Sequence, residues 1–254
     1  MKNFVTRVLL RLAVANLLSL TLYAQQTPSS DLPAAQQSKP ADNGKAVEGQ
    51  KTADKDKGTS NDRLFYTLPN FLTLENTGQV APLTVGEKFK VVTRGSFDYI
   101  LVPWYGFLAG VSQAENSEPG YGQGAEGYGK RYGAYFADGT IENYMTGAIL
   151  PSLLRQDPRF FQLGEGGFWH RTGYSISRIF VTRTDSGGEQ FNYSEVVGSA
   201  AASAISNYTY HPKGDRTLAN TASVWGTQVG YDTITIVVKE FWPDIRRKLK
   251  KKKS

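Results

Sequence analysis

Small residues recur four positions apart in four stretches of this chain: Gly106 and Gly110; Gly129, Gly133 and Ala137; Gly198, Ala202 and Ser206; Gly226 and Gly230. Four positions is close to one helical turn, so each row marks one face of a helix. Glycine inside a helix costs about 1 kcal/mol relative to alanine. Rows of it need an offsetting gain, and close approach of helix backbones is one. The rows predict a mainly α fold: a compact helical domain with Gly/Ala-mediated close helix packing, Tyr and Trp filling the grooves. A bilayer-embedded bundle would use the same rows. Against it, Asp98, Asp138, Glu142 and Asp232 lie in or beside them, and no run in the mature chain reaches 18 apolar residues.

Helix starts are legible by mechanism. In "LTVGEKF", Thr84 is an N-cap with Glu87 three residues on, a capping box. "FNYSEVV" repeats the pattern with Asn192 and Glu195, with Phe191 and Val196 at the positions of a hydrophobic staple. The helix after it is expected to turn Val197, Ala201, Ala204, Ile205 and Tyr208 to one face and to end before Pro212. Leu218, Ala222, Trp225, Val229 and Ile236 recur at helical spacing over 216–241, and Pro243 is expected to close that helix. Further helices are predicted over 123–137, over 140–150 stopping at Pro151, and over 97–114 with a kink at Pro103. Residues 174–184 read as helix then loop, with a strand, Gly turn and return strand as the rival reading.

The N-terminus reads as an export leader over 1–24. Lys2, Arg7 and Arg11 precede a short apolar run from Leu12 to Leu22, and Ala24 precedes a cut site. An uncleaved anchor is the rival. Residues 25–62 hold only Leu32 and Val47 as large apolar side chains and no aromatic, the composition of a disordered tether. A helical domain over 63–245 and a basic tail over 246–254 complete the division. The chain has no Cys, so no disulfide staples it and no lipidated Cys ends the leader. The formal charge of +6 belongs to the ends. Without the leader's three cations it is +3, and without the tail's seven it is −4. That tail is Arg246, Arg247, Lys248, Lys250, Lys251, Lys252 and Lys253. Its structural reading is a solvated end; its functional reading is contact with an anionic membrane surface or an acidic envelope polymer. Nucleic acid is not an expected partner of an exported chain.

Constellations for chemistry are sparse. Gly122, Gly124 and Gly127 spell G-x-G-x-x-G, but a turn rather than a strand precedes them, so a Gly-rich helix start is expected and no dinucleotide cofactor. Lys130 and Arg131 beside it could hold an anion. His170 and His211 are the only histidines and carry no metal-ligand spacing; His211 is expected to satisfy local backbone. Glu115, Glu118 and Glu126 flank an aromatic, Gly-rich stretch and are the carboxylates a polysaccharide hydrolase would pair. Arg159, Arg171, Arg178 and Arg183 alternate with Asp157, Glu165, Asp185 and Glu189. Balanced signs favour ion pairs pinning a corner; the rival is an anion pocket formed with His170.

Taken together, "GYGQGAEGYGKRYGAYFAD", "LPSLLRQDPRFF", "HRTGYSISRIFVTRTDSG", "FNYSEVVG" and "KEFWPDIRRKL" resemble a family of exported bacterial proteins with no established activity. The likeness spans residues 68–249 and implies a periplasmic or outer-membrane setting without assigning a functional residue. The sequence thus favours a non-enzymatic, envelope-associated structural or interaction protein. A cell-wall hydrolase and a helical outer-membrane component are the alternatives. Oligomeric state is left open.

Overall fold

A computed structural model describes residues 59–75 and 80–251. The expected leader, most of the expected tether, and Lys252 and Lys253 lie outside the described residues. The fold begins before Arg63: Ser60 is buried, its N–H donates to the Phe71 carbonyl, and Asp62 accepts from Arg246.

The architecture is mainly α-helical. Two short strands, β1 (Arg63–Leu64) and β2 (Leu68–Pro69), form a hairpin, and β3 (Thr73–Glu75) follows. Helices α1 (Val85–Ser96), α2 (Leu101–Glu115) and α3 (Gly124–Tyr144) come next. A π turn, Met145–Ile149, leads from α3 into the short α4 (Leu150–Leu153). Strand β4 (Phe160–Gln162) pairs in parallel with β3. Helix α5 (Phe168–Phe180) runs into the antiparallel hairpin of β5 (Val181–Arg183) and β6 (Glu189–Phe191). Helices α6 (Tyr193–Thr209) and α7 (Leu218–Lys251) close the chain and pack on each other, with α5 against α7 and α3 against α2 and α6.

The Thr84 capping box is complete, since Glu87 N–H reaches the Thr84 hydroxyl and the Glu87 carboxylate accepts from the Thr84 N–H. Asn192 caps α6 through the Glu195 N–H, but the Glu195 carboxyl turns inward instead of returning to the cap. Residues 174–184 combine both expectations: helix to Phe180, then the hairpin that had been the rival, turning through Gly187 at φ 89°.

Helix α6 ends before Pro212 as expected, but three other prolines behave differently from their expectations. Pro103 sits in the first turn of α2, where a missing N–H costs no helical bond, so no kink is needed. Pro151 does not stop its helix; the π turn just before it loosens the hydrogen-bond ladder that the ring would clash with. Pro243 lies inside α7, which continues to Lys251. Its missing N–H leaves the Lys239 carbonyl without its helical donor. The Gln162 side-chain amide, reaching in from β4, donates to that carbonyl at 2.5 Å.

Two of the expected rows make a close approach: a Cβ on Gly198 would meet the Leu150 side chain at 3.2 Å and the Met145 carbonyl at 3.4 Å, and one on Gly106 the Tyr128 hydroxyl at 3.1 Å. Outside the rows, Gly139 lies against the Tyr105 ring and hydroxyl and Gly147 against the Val92 side chain, with no room for a Cβ. A Cβ at Gly110, Gly129, Gly133, Gly226 or Gly230 would meet nothing within 4 Å. Gly133 and Ala137 instead floor an open groove of about 520 Å³ walled by Tyr121 and His211. Helix α6 is inverted relative to its expected face. It buries Ser194, Gly198, Ser199, Ala202, Ser203 and Ser206, and it exposes Val197, Ile205 and Tyr208. Ser199 and Ser203 donate back to carbonyls four residues earlier, so their hydroxyls enter the interior satisfied while their small size permits close approach. The apolar core proper gathers Phe71, Leu83, Val91, Val92 and Ala148.

Candidate functional site

The Asp/Arg series is drawn into ion pairs at the junction of the hairpin, α5 and α7. Asp157 and Arg159 pair at 2.5 Å, both buried, and Arg159 also donates to the Ala81 carbonyl. Gln156, fully buried, accepts from the Ser194 N–H and hydroxyl and donates to the Phe191 carbonyl, tying this corner to the start of α6. Asp185 pairs with the buried Lys88 at 2.7 Å, which bonds the Pro151 carbonyl as well. Arg178 pairs with Glu189 at 2.6 Å, and Arg183 lies over the Phe161 ring. Arg171 grips α7 by the Glu240 carboxylate and carbonyl and by Asp244. Burial alone would lower the Arg171 pKa, but these carboxylates outweigh it and hold it above its ordinary value. His170 does not join the arginines; it is exposed at the start of α5, its ring against Gly166. A guanidinium–imidazole anion pocket is therefore not assembled.

The three glutamates of the hydrolase reading are not gathered in a cleft. Glu115 and Glu126 are exposed, Glu126 paired with Lys130, and Glu118 accepts from Ser112 and Tyr135. The G-x-G-x-x-G stretch follows a 3-10 turn, and Arg131, fully buried, spends its guanidinium on the Gly122 and Glu118 carbonyls. His211 bonds Asp138 through Nε2 at 3.2 Å rather than local backbone. Burial opposes its protonation, yet the Asp138 hydrogen bond and charge raise its pKa overall.

A different set of ionisable groups converges inside the domain. A cavity of about 140 Å³ is bounded by the Asp157–Arg159 corner, β5 and the inner faces of α5, α6 and α7. Glu195 of α6, with Asp232 and Lys239 of α7, lines it. Glu142 of α3 stands close enough to feel the charges of both acids. Burial pushes Glu195 up to about 8, with the Asp232 charge and a hydrogen bond to Asp232 adding to it. Burial likewise raises Asp232 and lowers Lys239. Glu142 is pushed up to about 9, first by burial and then by the Asp232, Glu195 and Asp138 charges. Gln228 donates to the Glu142 carboxyl at 3.0 Å and accepts from the Ser203 hydroxyl.

Chemically, burial and the proximity of like charges favour the protonated form of these carboxyls. The cavity of about 140 Å³ has room for about five waters at about 30 Å³ each. Among the described residues no cluster of three or more His, Cys, Asp or Glu has metal-binding geometry. A signal for this site exists in the sequence: Asp232 and Lys239 are charged residues seven apart in an otherwise apolar helical run, hence on one face. No family model, curated protein or solved structure matches the chain.

The basic end forms the other distinctive surface. Arg246 reaches Asp62 at 3.0 Å and Glu75 at 3.8 Å, and Arg247 pairs with Asp244. Lys248, Lys250 and Lys251, on the last turn of α7, are exposed and have no acidic partner among the described residues.

Proposed function

We propose that the protein is a non-enzymatic, exported, envelope-associated interaction protein that docks on an anionic surface through the end of α7. The observation that carries this reading is the division of labour in the basic run. Arg246 fastens the helix end to Asp62 and Glu75, Arg247 pairs with Asp244 within the helix itself, and three lysines face solvent with no acidic partner among the described residues. A solvated terminus would need no fastening. Cations in a last turn also favour the helix dipole, but by only about 0.3–1 kcal/mol each. No helix among the described residues is long and apolar enough to cross a membrane, which favours attachment at a surface over a helical span. The leader and the family resemblance favour the envelope as its location.

The test is binding to anionic vesicles across a salt series. Each lysine near such a surface is worth about 1 kcal/mol. Replacing Lys248, Lys250 and Lys251 with Gln should therefore weaken binding about a hundredfold at low salt. Truncation belongs after Arg247, because Arg246 ties α7 to Asp62 and Arg247 pairs with Asp244 one turn earlier in the helix. Equal binding by intact and triple-Gln chains, or binding that ignores salt, refutes the reading.

A further inference from the structure

Residues Gly164–His170 form one continuous exposed segment, and Trp169 near its end is 81% exposed, with Phe168 at 58%. An indole is the costliest common side chain to leave in water, and nothing in the local packing requires it there. The segment is firmly seated. Leu163 and Gly164 N–H groups donate to the Glu240 carboxylate at its start, and Arg171 grips Glu240 and Asp244 at its end. Phe168 stacks on Phe241 with centroids 5.2 Å apart, and Trp169 meets Phe168 edge-on at 5.0 Å. Gly166, at φ 98°, takes a left-handed backbone, and a Cβ there would meet the His170 ring at 2.8 Å.

This seat is the stretch Phe241–Asp244 of α7. The unpaired lysines begin one turn further on, and Lys251 is about 10 Å along the axis from Asp244 at 1.5 Å per residue. Leu249, 43% exposed, lies among them. One end of the domain thus presents an exposed Trp–Phe pair and a cluster of unpaired lysines side by side. The acids nearby do not cancel the positive charge: Asp244 is bound by Arg171 and Arg247, which leaves Glu165 in the tip. Gly167, the N-cap of α5, supplies no side-chain cap, so the first N–H groups of the helix remain available to solvent or to a phosphate.

An acidic polymer would use the lysines, and would take the indole out of water only where a sugar ring stacked on it. A phospholipid surface accommodates both, because aromatic rings lodge at the headgroup boundary while lysines meet the phosphates. We infer that the partner is an anionic phospholipid bilayer, with Trp169 and Phe168 inserted at the headgroup level as a wedge beside the lysine cluster. This deepens the docking reading above and rests on it.

The test uses the chain purified after export and vesicles of phosphatidylglycerol and phosphatidylcholine brominated high on the acyl chains. Tryptophan emission should be quenched on binding, and most of that quenching should vanish in Trp169→Phe. Trp169→Ser should partition about tenfold more weakly, the loss expected when an aromatic ring is returned to water, with Trp169→Phe recovering much of it. Circular dichroism of each variant should match the parent, since Trp169 is on the surface. Unchanged quenching in Trp169→Phe, or full binding by Trp169→Ser while the triple-Gln variant loses it, overturns the wedge and leaves the lysine reading standing. Failure of the parent chain to bind anionic vesicles overturns the bilayer as partner, and salt-sensitive capture by an acidic polymer in its place would keep only the lysine reading.

Discussion

Replacing Glu142 with Gln should change how the stability of the domain depends on pH. An unfolded Glu loses its proton near 4.5, whereas burial and the Asp232, Glu195 and Asp138 charges let folded Glu142 keep it to about 9. Between those values the folded state binds one more proton than the unfolded state, so stability falls as pH rises. One retained proton is worth about 1.4 kcal/mol per pH unit, or about 4 kcal/mol from pH 5 to pH 8. Glu195 and Asp232, also raised, add slope of the same sign, and so does the raised His211. Glu142→Gln keeps the shape and the acceptor that Gln228 donates to, and below pH 8 it replaces a group that is already neutral. The variant should match the parent near pH 5 and lose about one proton's worth of slope above it. Urea unfolding at pH 5, 6, 7 and 8 measures both curves. Lys239, lowered by burial, adds slope of the opposite sign to both curves, so the difference between parent and variant is the readout, and parallel curves refute the reasoning.

Three further substitutions probe the packing. Gly139→Ala should cost about 1–3 kcal/mol because its Cβ collides with the Tyr105 hydroxyl, whereas Gly133→Ala, facing open space, should gain about 0.5–1 kcal/mol; thermal unfolding of the pair separates the two kinds of glycine. Gln162→Leu should cost about 1–3 kcal/mol by orphaning the Lys239 carbonyl, and adding Pro243→Ala, which returns an N–H to that carbonyl, should recover part of the loss in a double-mutant cycle. Arg171→Met should cost about 3–5 kcal/mol by leaving the fully buried Glu240 carboxylate without its guanidinium, and chemical denaturation would register it.

Local chemistry was the legible part of this fold. The Thr84 box, the Asn192 cap and the helical character of most segments depend on neighbours within one turn, and a sequence displays those directly. Pro243 was misread because the group that compensates it, Gln162, arrives from a distant strand. The α6 face was misread because hydropathy counts serine as outward-facing, while Ser199 and Ser203 return their hydroxyls to their own helix and enter the interior as small residues. The ion-pair corner was visible as balanced charge, although its true partners Lys88, Glu240 and Asp244 come from elsewhere in the chain. Glu195 illustrates the limit: its place three residues after Asn192 made it a capping residue on paper, and the inward turn that puts it beside Asp232 depends on α7. The "GEGGFWH" stretch read as part of a structural corner. Only its flanks are one, and the intervening residues project into solvent.

Hydrogen–deuterium exchange with and without anionic vesicles bears most directly on the docking account. Added vesicles should slow exchange in two separated segments at once, the tip over 164–170 and the last turn of α7, and leave the α2–α3 face unchanged. Vesicle-bound protein whose tip and helix end exchange as fast as in free solution would contradict it.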